Sequence, residues 1–285
     1  MSLTASIVIH DSPRSQTERI IDCLLKSEIE KIYVIDNSTI PVEYADSLKA
    51  KSVKIDYRHV ENNGFGAAHN IAIREAIDKN KGIDDFHLIV NPDVYWEEDV
   101  LESLTKYLAE NKDVGIVMPK VFYPDGALQY TCRMLPTPLD LFTKRFLPAK
   151  FSEKRMERYL LADHDHNMPL NCPYLLGSFL LFRNKALKEC GLFDERFFMY
   201  PEDIDITRRI HRRWKTMYLP SLSIIHKHTA ASRTNRKMLK IHIVNMIKYF
   251  CKWGWVCDRE RKLFNLQLRE NITYIPKDKR PIGRG

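Results

Sequence analysis

Acidic residues recur beside asparagines at a few points of this chain, and a histidine follows downstream. The clusters are Asp36-Asn37-Ser38, Asn63 to Asn70, Asn91-Pro92-Asp93, Glu202-Asp203-Ile204-Asp205 and His226-Lys227-His228. A carboxylate at a strand end can hold a divalent cation against a phosphate. A carboxylate within reach of a hydroxyl can take its proton, and histidine is the commonest metal ligand. Each cluster also has a plainer reading. Asn91-Pro92-Asp93 could be a turn that only ends a strand, and so could Asp36-Asn37-Ser38. Asn63-Gly64-Phe65-Gly66 could supply only positive-φ positions. Glu202 and Asp203 could be partners of a helix dipole. Together, two acidic sites and a histidine around one sheet edge suit a metal-assisted reaction on a phosphorylated substrate. The chain has no P-loop and no G-x-G-x-x-G, which removes support for Walker-type and dinucleotide-binding readings.

These residues need elements to position them. His87-Leu88-Ile89-Val90 reads as a short buried strand. Pro92 cannot continue it, because proline gives no N–H to the ladder. Asp93 then falls just past the strand's carboxyl end, where ligands bind in open α/β sheets. Upstream, Ser6–Ile9, Lys31–Ile35 and Val53–Val60 read as strands. Ser15 and Glu18 have capping-box spacing before a helix, and a second helix is expected near Ala67–Ile77. Residues 97–110 read as a helix with Glu97, Glu98 and Asp99 in its first turn. Alternation of this kind implies an α/β fold with a mainly parallel sheet and flanking helices. Pro124-Asp125-Gly126 is a hairpin signal. Residues 133–170 read as a long excursion, helical near 153–161. Tyr174–Phe182 returns to the core. Pro201 fits the first position of a helix running to about Trp214, and Tyr218–His226 is a further strand.

The chain has 285 residues, 44% of them hydrophobic, enough for one large core plus an appendage. A net charge of +8 favours an anionic partner: nucleic acid, a phosphorylated small molecule or an acidic membrane surface. The cysteines form no C-x-x-C pair, so free thiols in a reducing compartment are expected. The amino terminus reads as a strand, not a signal peptide. Tyr174–Phe182, the longest apolar run, is too short to span a bilayer. These features predict a cytoplasmic protein, free or at the inner face of the cell membrane.

The order Asp-Asn-Ser, Asn-x-Gly-x-x-x-Ala-x-x-Asn, Asn-Pro-Asp, Glu-Asp-x-Asp, His resembles the family 2 glycosyltransferases of the GT-A fold. Asn63-Gly64-Phe65-Gly66-Ala67-Ala68-His69-Asn70 and Glu202-Asp203-Ile204-Asp205 with Arg208 carry most of the likeness. It covers about residues 5–232 and points to the bacterial rhamnosyltransferase-like branch that builds polysaccharides; Tyr249-Phe250-Cys251-Lys252-Trp253-Gly254 is similar to that branch's tail. The resemblance implies a GT-A domain over 1–233 and a helical, basic extension over 234–285. It implies an inverting transfer from a nucleotide sugar, dTDP- or UDP-linked, to a glycan or lipid-linked glycan. Asp36 would contact the base or ribose of the donor. Asn63, Gly64, Asn70 and Asn91 would line the donor site. Asp93 would bind Mg²⁺ or Mn²⁺, and His226 would complete the metal or diphosphate site. Asp203 would be the base, oriented by Glu202, with Glu202 or Asp205 as the alternative base. Two departures stand out. The first strand ends in Ile9-His10-Asp11 rather than Thr-Tyr-Asn, and Asn91 replaces the first Asp of the metal motif.

Two other classes remain. A catalytically silent sugar- or nucleotide-binding protein could use the same fold. A nucleic-acid binder would need basic residues interleaved with aromatics on one face, and the motif order argues against it. In the extension, Leu239, Ile243, Met246, Phe250 and Trp253 share a face at ~100° per residue, with Lys237, Lys240, Lys248 and Lys252 opposite. That helix would pack on the domain, lie at an anionic membrane, or join a homodimer.

Overall fold

The computed structural model describes residues 2–79, 85–97, 99–140, 149–227 and 236–284. The first half alternates strands and helices: β1 (Leu3–Ile9), α1 (Arg14–Leu25), β2 (Lys31–Asp36), α2 (Ala45–Lys51), β3 (Ile55–His59), α3 (Phe65–Lys79), β4 (Phe86–Val90), β5 (Val94–Tyr95) and α4 (Val100–Glu110). Then come β6 (Val114–Phe122), β7 (Leu128–Gln129), β8 (Cys132–Arg133), α5 (Ala149–Tyr159), β9 (Leu170–Asn171), β10 (Tyr174–Leu175), β11 (Phe179–Arg183), α6 (Asn184–Cys190), α7 (Glu202–His211) and β12 (Lys215–His226). The chain ends in α8 (Arg236–Trp253), α9 (Arg259–Glu270) and β13 (Gly283–Arg284).

Strands β3, β2, β1 and β4 run parallel, in that order. The chain moves outward from β1 to β3, then returns to β4 on the other side of β1. That reversal makes the carboxyl ends of β1 and β4 a topological switch point, where a crevice opens for ligands. Beyond β4, β11 is antiparallel to both β4 and β6, and β12 runs parallel to β6. The sheet is therefore parallel through β3, β2, β1 and β4, as the alternation implied, and mixed beyond them. Every residue of β4 is buried, and β1 nearly so. This explains their continuous apolar runs: a strand covered on both faces has no polar alternation to show. β12 changes register between Leu219 and Ser223, around Pro220, which has no N–H for the ladder.

The central strands also share a buried polar chain. Thr4 Oγ1 lies 2.7 Å from His87 Nδ1, His87 Nε2 2.8 Å from Ser6 Oγ, and Ser6 Oγ 2.7 Å from His69 Nδ1. Burial pushes both imidazoles down, His87 to about 3. Neutral rings thus pin β1, β4 and α3 together, next to the motif that opens α3.

Several boundaries differ from expectation. Ser15 and Glu18 form no capping box. Pro13 occupies the N-cap of α1 and Glu18 instead accepts from Arg14. Helix α4 starts at Val100, so Glu97 and Asp99 precede it; Glu98 lies outside the described residues. Pro201 is the N-cap of α7 rather than its first helical residue, and α7 ends at His211. The run 174–182 is two strands broken at Gly177. The hairpin at Pro124-Asp125-Gly126 forms, with Gly126 at φ 80° and Tyr123 N–H donating to Ala127 O at 2.8 Å.

The extension packs against the domain. Met246, Tyr249 and Phe250 of α8 join Leu135, Tyr159, Tyr174, Phe197 and Ile204 in one apolar cluster. Arg208 of α7 is 1% exposed and reaches Asp258 through two 2.7 Å hydrogen bonds and Glu260 through one of 2.8 Å. Its guanidinium also lies 4.0 Å from the centre of the Trp253 ring. The helical face predicted from the sequence is rotated. Ile243 is outside, whereas Lys252, expected among solvated lysines, pairs with Asp194 at 2.7 Å and Asp205 at 2.6 Å.

Candidate active site

The predicted residues gather at the carboxyl edge of the parallel strands in two groups. The first is built by β4, β5, β7 and β12. Pairing of β5 with β12 places His226 opposite Val94, one residue past Asp93. His226 Nε2 lies 3.2 Å from Asp93 Oδ1 and 3.5 Å from Asn91 Nδ2. Gln129 fixes the tautomer. Its Nε2 donates to the His226 carbonyl at 2.8 Å, so its Oε1 must accept at His226 Nδ1, 2.9 Å away. The Nδ1 proton leaves the lone pair of the neutral ring on Nε2, facing a carboxylate oxygen. Two electron-rich atoms at that separation call for a proton or a cation between them. A backing acceptor on the second ring nitrogen is the usual arrangement of metal-binding histidines. The donor set is one carboxylate and one imidazole. That is too few to cage a cation but enough where phosphate oxygens supply the rest. Among the described residues no cluster of three or more such ligands exists.

The second group sits at the start of α7. Glu202 and Asp203 are buried. Asp203 Oδ2 accepts from the Gly177 amide at 3.0 Å, and Oδ1 from its neighbour Ile204 at 2.8 Å. A Cβ on Gly177 would stand 3.0 Å from that of Asp203, so any side chain there crowds the carboxylate. Burial raises the Asp203 carboxyl to about 6, against the pull of the Gly177 and Ile204 amides and the nearby Arg133 cation. Burial, and then the charge of Asp203, raise Glu202 further, to about 8. Both carboxyls are thus pushed above the ordinary carboxylate range and titrate as one interacting pair. Glu202 Oε2 is buried with no partner among the described residues. Just before this turn Tyr200 has φ 94°, a conformation costly for a residue with a Cβ.

One short segment joins the two groups. Gly177 donates to Asp203, and the next carbonyl, Ser178 O, accepts from the Asn91 amide at 3.0 Å. A second clamp holds the loop before α3. Gly64 has φ 105°, and a Cβ there would lie 2.4 Å from Phe198 O, so only glycine fits. The Asn70 amide is buried; it donates to Phe193 O at 2.9 Å and Glu195 Oε1 at 2.8 Å, and accepts from Phe193 N–H. Asn70 thus fixes the loop leading to α7, while Asn63 is exposed at the mouth.

Asp36 is fully buried at the end of β2. Its carboxylate accepts from Ser38 N–H at 2.8 Å, Val42 N–H at 3.0 Å and the Tyr57 hydroxyl. Burial alone would raise it, but these donors hold it below the usual range. It therefore shapes the 36–42 loop. Asp205 and Arg208 are also occupied elsewhere. Asp205 pairs with Arg209 and accepts from Trp253 Nε1 at 2.8 Å, so it anchors α8 and is no candidate base. His228 lies outside the described residues. Sequence reading missed Gln129, Arg133 and Gly177. Gln129 and Arg133 follow the hairpin signal closely, but nothing in their spacing announces their partners.

An α/β sheet of this order, parallel through β3, β2, β1 and β4 and mixed beyond, has the architecture of the GT-A glycosyltransferase folds. Solved structures agree on the fold. GalNAc-T7 with UDP, GalNAc and Mn²⁺ superposes with a TM-score of 0.57 at 15% identity, covering 85% of this chain and 48% of the other. A mannosyltransferase from Pyrobaculum calidifontis, in complex with GDP-Man and Mn²⁺, gives 0.55 at 15% identity over 88% of this chain and 63% of the other. Residues 6–191 match the profile of Glycosyl transferase family 2, and the chain belongs to that family. Among curated relatives, the rhamnosyltransferase WbbL of Escherichia coli is 27% identical over 235 residues, 78% of this chain and 82% of WbbL. An N-acetylglucosaminyl-diphospho-decaprenol L-rhamnosyltransferase of Mycobacterium tuberculosis is 28% identical over 186 residues, 60% of this chain. The matched segment covers 57% of that relative's length.

Proposed function

We propose that this protein is an inverting, metal-dependent glycosyltransferase that moves a sugar, rhamnose first among candidates, from a dTDP- or UDP-linked donor to the hydroxyl of a glycan or lipid-linked glycan. The observation that carries the reading is that residues 177–178 tie Asp203 of the buried carboxylate dyad to Asn91, which lies beside the Asp93–His226 pair. Asp93 and His226 would hold Mg²⁺ or Mn²⁺ beside the donor diphosphate. A bound divalent ion neutralises charge on a nucleoside diphosphate leaving group. Asn63, Gly64 and Asn91 border the donor, and Asp36 acts through the loop it organises. Asp203, as the carboxylate, takes the acceptor proton as the new C–O bond forms. Glu202, buried beside it, would orient it. The two curated relatives described above are named rhamnosyltransferases, which supports the choice of sugar.

The test is a thermal-shift panel of nucleotide sugars with and without Mn²⁺, followed by NMR of the transferred sugar's anomeric configuration. A dTDP- or UDP-sugar should raise the melting temperature only with metal, and the product should be inverted. Binding without turnover or donor hydrolysis would instead identify a silent binding protein.

A further inference from the structure

The outward face of α8 has a composition that packing does not explain. Ile243, Val244 and Ile247 are 44%, 41% and 46% exposed, although Met246, Tyr249 and Phe250 on the opposite face are buried. The exposed arc also carries Arg236, Lys240, Lys248 and Cys251. Helix α8 contains no acidic residue. Just beyond it, Trp255 and Val256 are 44% and 86% exposed.

We propose that this face docks on an anionic membrane surface. Aliphatic side chains interleaved with cations on one arc match a helix lying in the plane of the headgroups, apolar groups inserted and lysines near the phosphates. A second copy of the chain fits poorly, because two faces of the same positive sign would meet. The helix is held beside the catalytic dyad. Asn245 Nδ2 donates to Met199 O at 3.0 Å, and the His242 ring stacks on Tyr200 at 4.6 Å, two residues before Glu202. Docking here would hold the dyad near the bilayer. The proposal deepens the reading of a lipid-linked acceptor and rests on it for its purpose. The docking itself can be tested without turnover.

The experiment is co-sedimentation of the full chain with phosphatidylcholine vesicles and with phosphatidylcholine–phosphatidylglycerol vesicles, at low and high salt. Binding to the anionic vesicles only, weakened by salt, is expected. Lys240→Glu should weaken it on the order of tenfold or more. The pair Ile243→Glu and Ile247→Glu should abolish it with the melting temperature unchanged. Val53→Glu, at a fully exposed site before β3, should bind like wild type. Absence of sedimentation with anionic vesicles, or equal binding by the double variant, overturns the proposal. So does a wild-type dimer in solution that the double variant converts to monomer. Donor hydrolysis measured on the same samples should be unaffected by these variants. A failure of docking is thus distinguishable from a failure of the glycosyltransferase reading.

Discussion

Asp203→Asn keeps the shape of the carboxylate but cannot accept a proton. Donor binding should persist while turnover falls by roughly 10²–10⁴-fold, the usual worth of general base catalysis. Full activity would return the dyad to a dipole-partner role. The rate should rise with pH through an apparent value above the ordinary carboxylate range, since burial lifts Asp203 to about 6. Arg133 lowers that value by favouring the charged form. Arg133→Met should therefore move the rising limb to higher pH, whereas a purely structural arginine would change the amplitude and leave the limb in place. Asp93→Ala should remove the Mn²⁺-dependent part of the nucleotide thermal shift; a shift equal to wild type would dismiss the metal assignment. The places of Asp93 and Asp203 were legible in the sequence because a carboxylate after a proline-stopped strand, or at a helix start, announces itself locally; His226 entered through the motif order, and the roles of all three through the family resemblance. Gln129, Gly177 and Arg133 were not, because each matters only through a partner that is remote in sequence: 97 residues separate Gln129 from His226, and 26 separate Gly177 from Asp203.

At the scale of elements, the motifs divide between proposed chemistry and scaffolding. Glu202 and Asp203 are buried beside Gly177, while Asp205 and Arg208, from the same signature, hold α8 and α9. Helical spacing alone could not separate them, because the answer depends on what covers α7. For the same reason the buried face of α8 was misplaced: the apolar period was real, but Lys252 was recruited by Asp194 and Asp205. The stretch His87-Leu88-Ile89-Val90 was more legible as a strand than as a polar link. Its histidine is buried and bonded to Thr4 and Ser6. Ser6→Ala should leave two buried imidazoles short of a partner and lower stability by about 1–3 kcal/mol. Denaturant melts should show this with the slope unchanged; no loss would mean that the rings repartner.

Over the whole molecule, the boundary near residue 233 marks a change in composition more than a division of the core. Arg208 and the cluster around Phe250 make catalytic domain and extension share one buried interior. Whether they melt together follows from this. Removing one partner of a buried ion pair costs about 3–5 kcal/mol, because the remaining charge stays desolvated. Glu260 still contacts Arg208, which argues for the lower end in Asp258→Asn. Calorimetry should show this variant unfolding in one transition at lower temperature, rather than shedding the helices first. Two separate transitions would show that the extension is an independent unit. The pH dependence gives a second reading. Burial alone would raise Asp258, but Arg208 and the Arg261 amide hold it below its usual value. Such a group stabilises fully above the unfolded aspartate value of about 4 and loses its contribution as pH falls through the lowered folded value. The gap between wild type and Asp258→Asn should therefore be constant near neutrality and close in acid. A gap that persists in acid would place the effect in packing rather than in the carboxylate's charge.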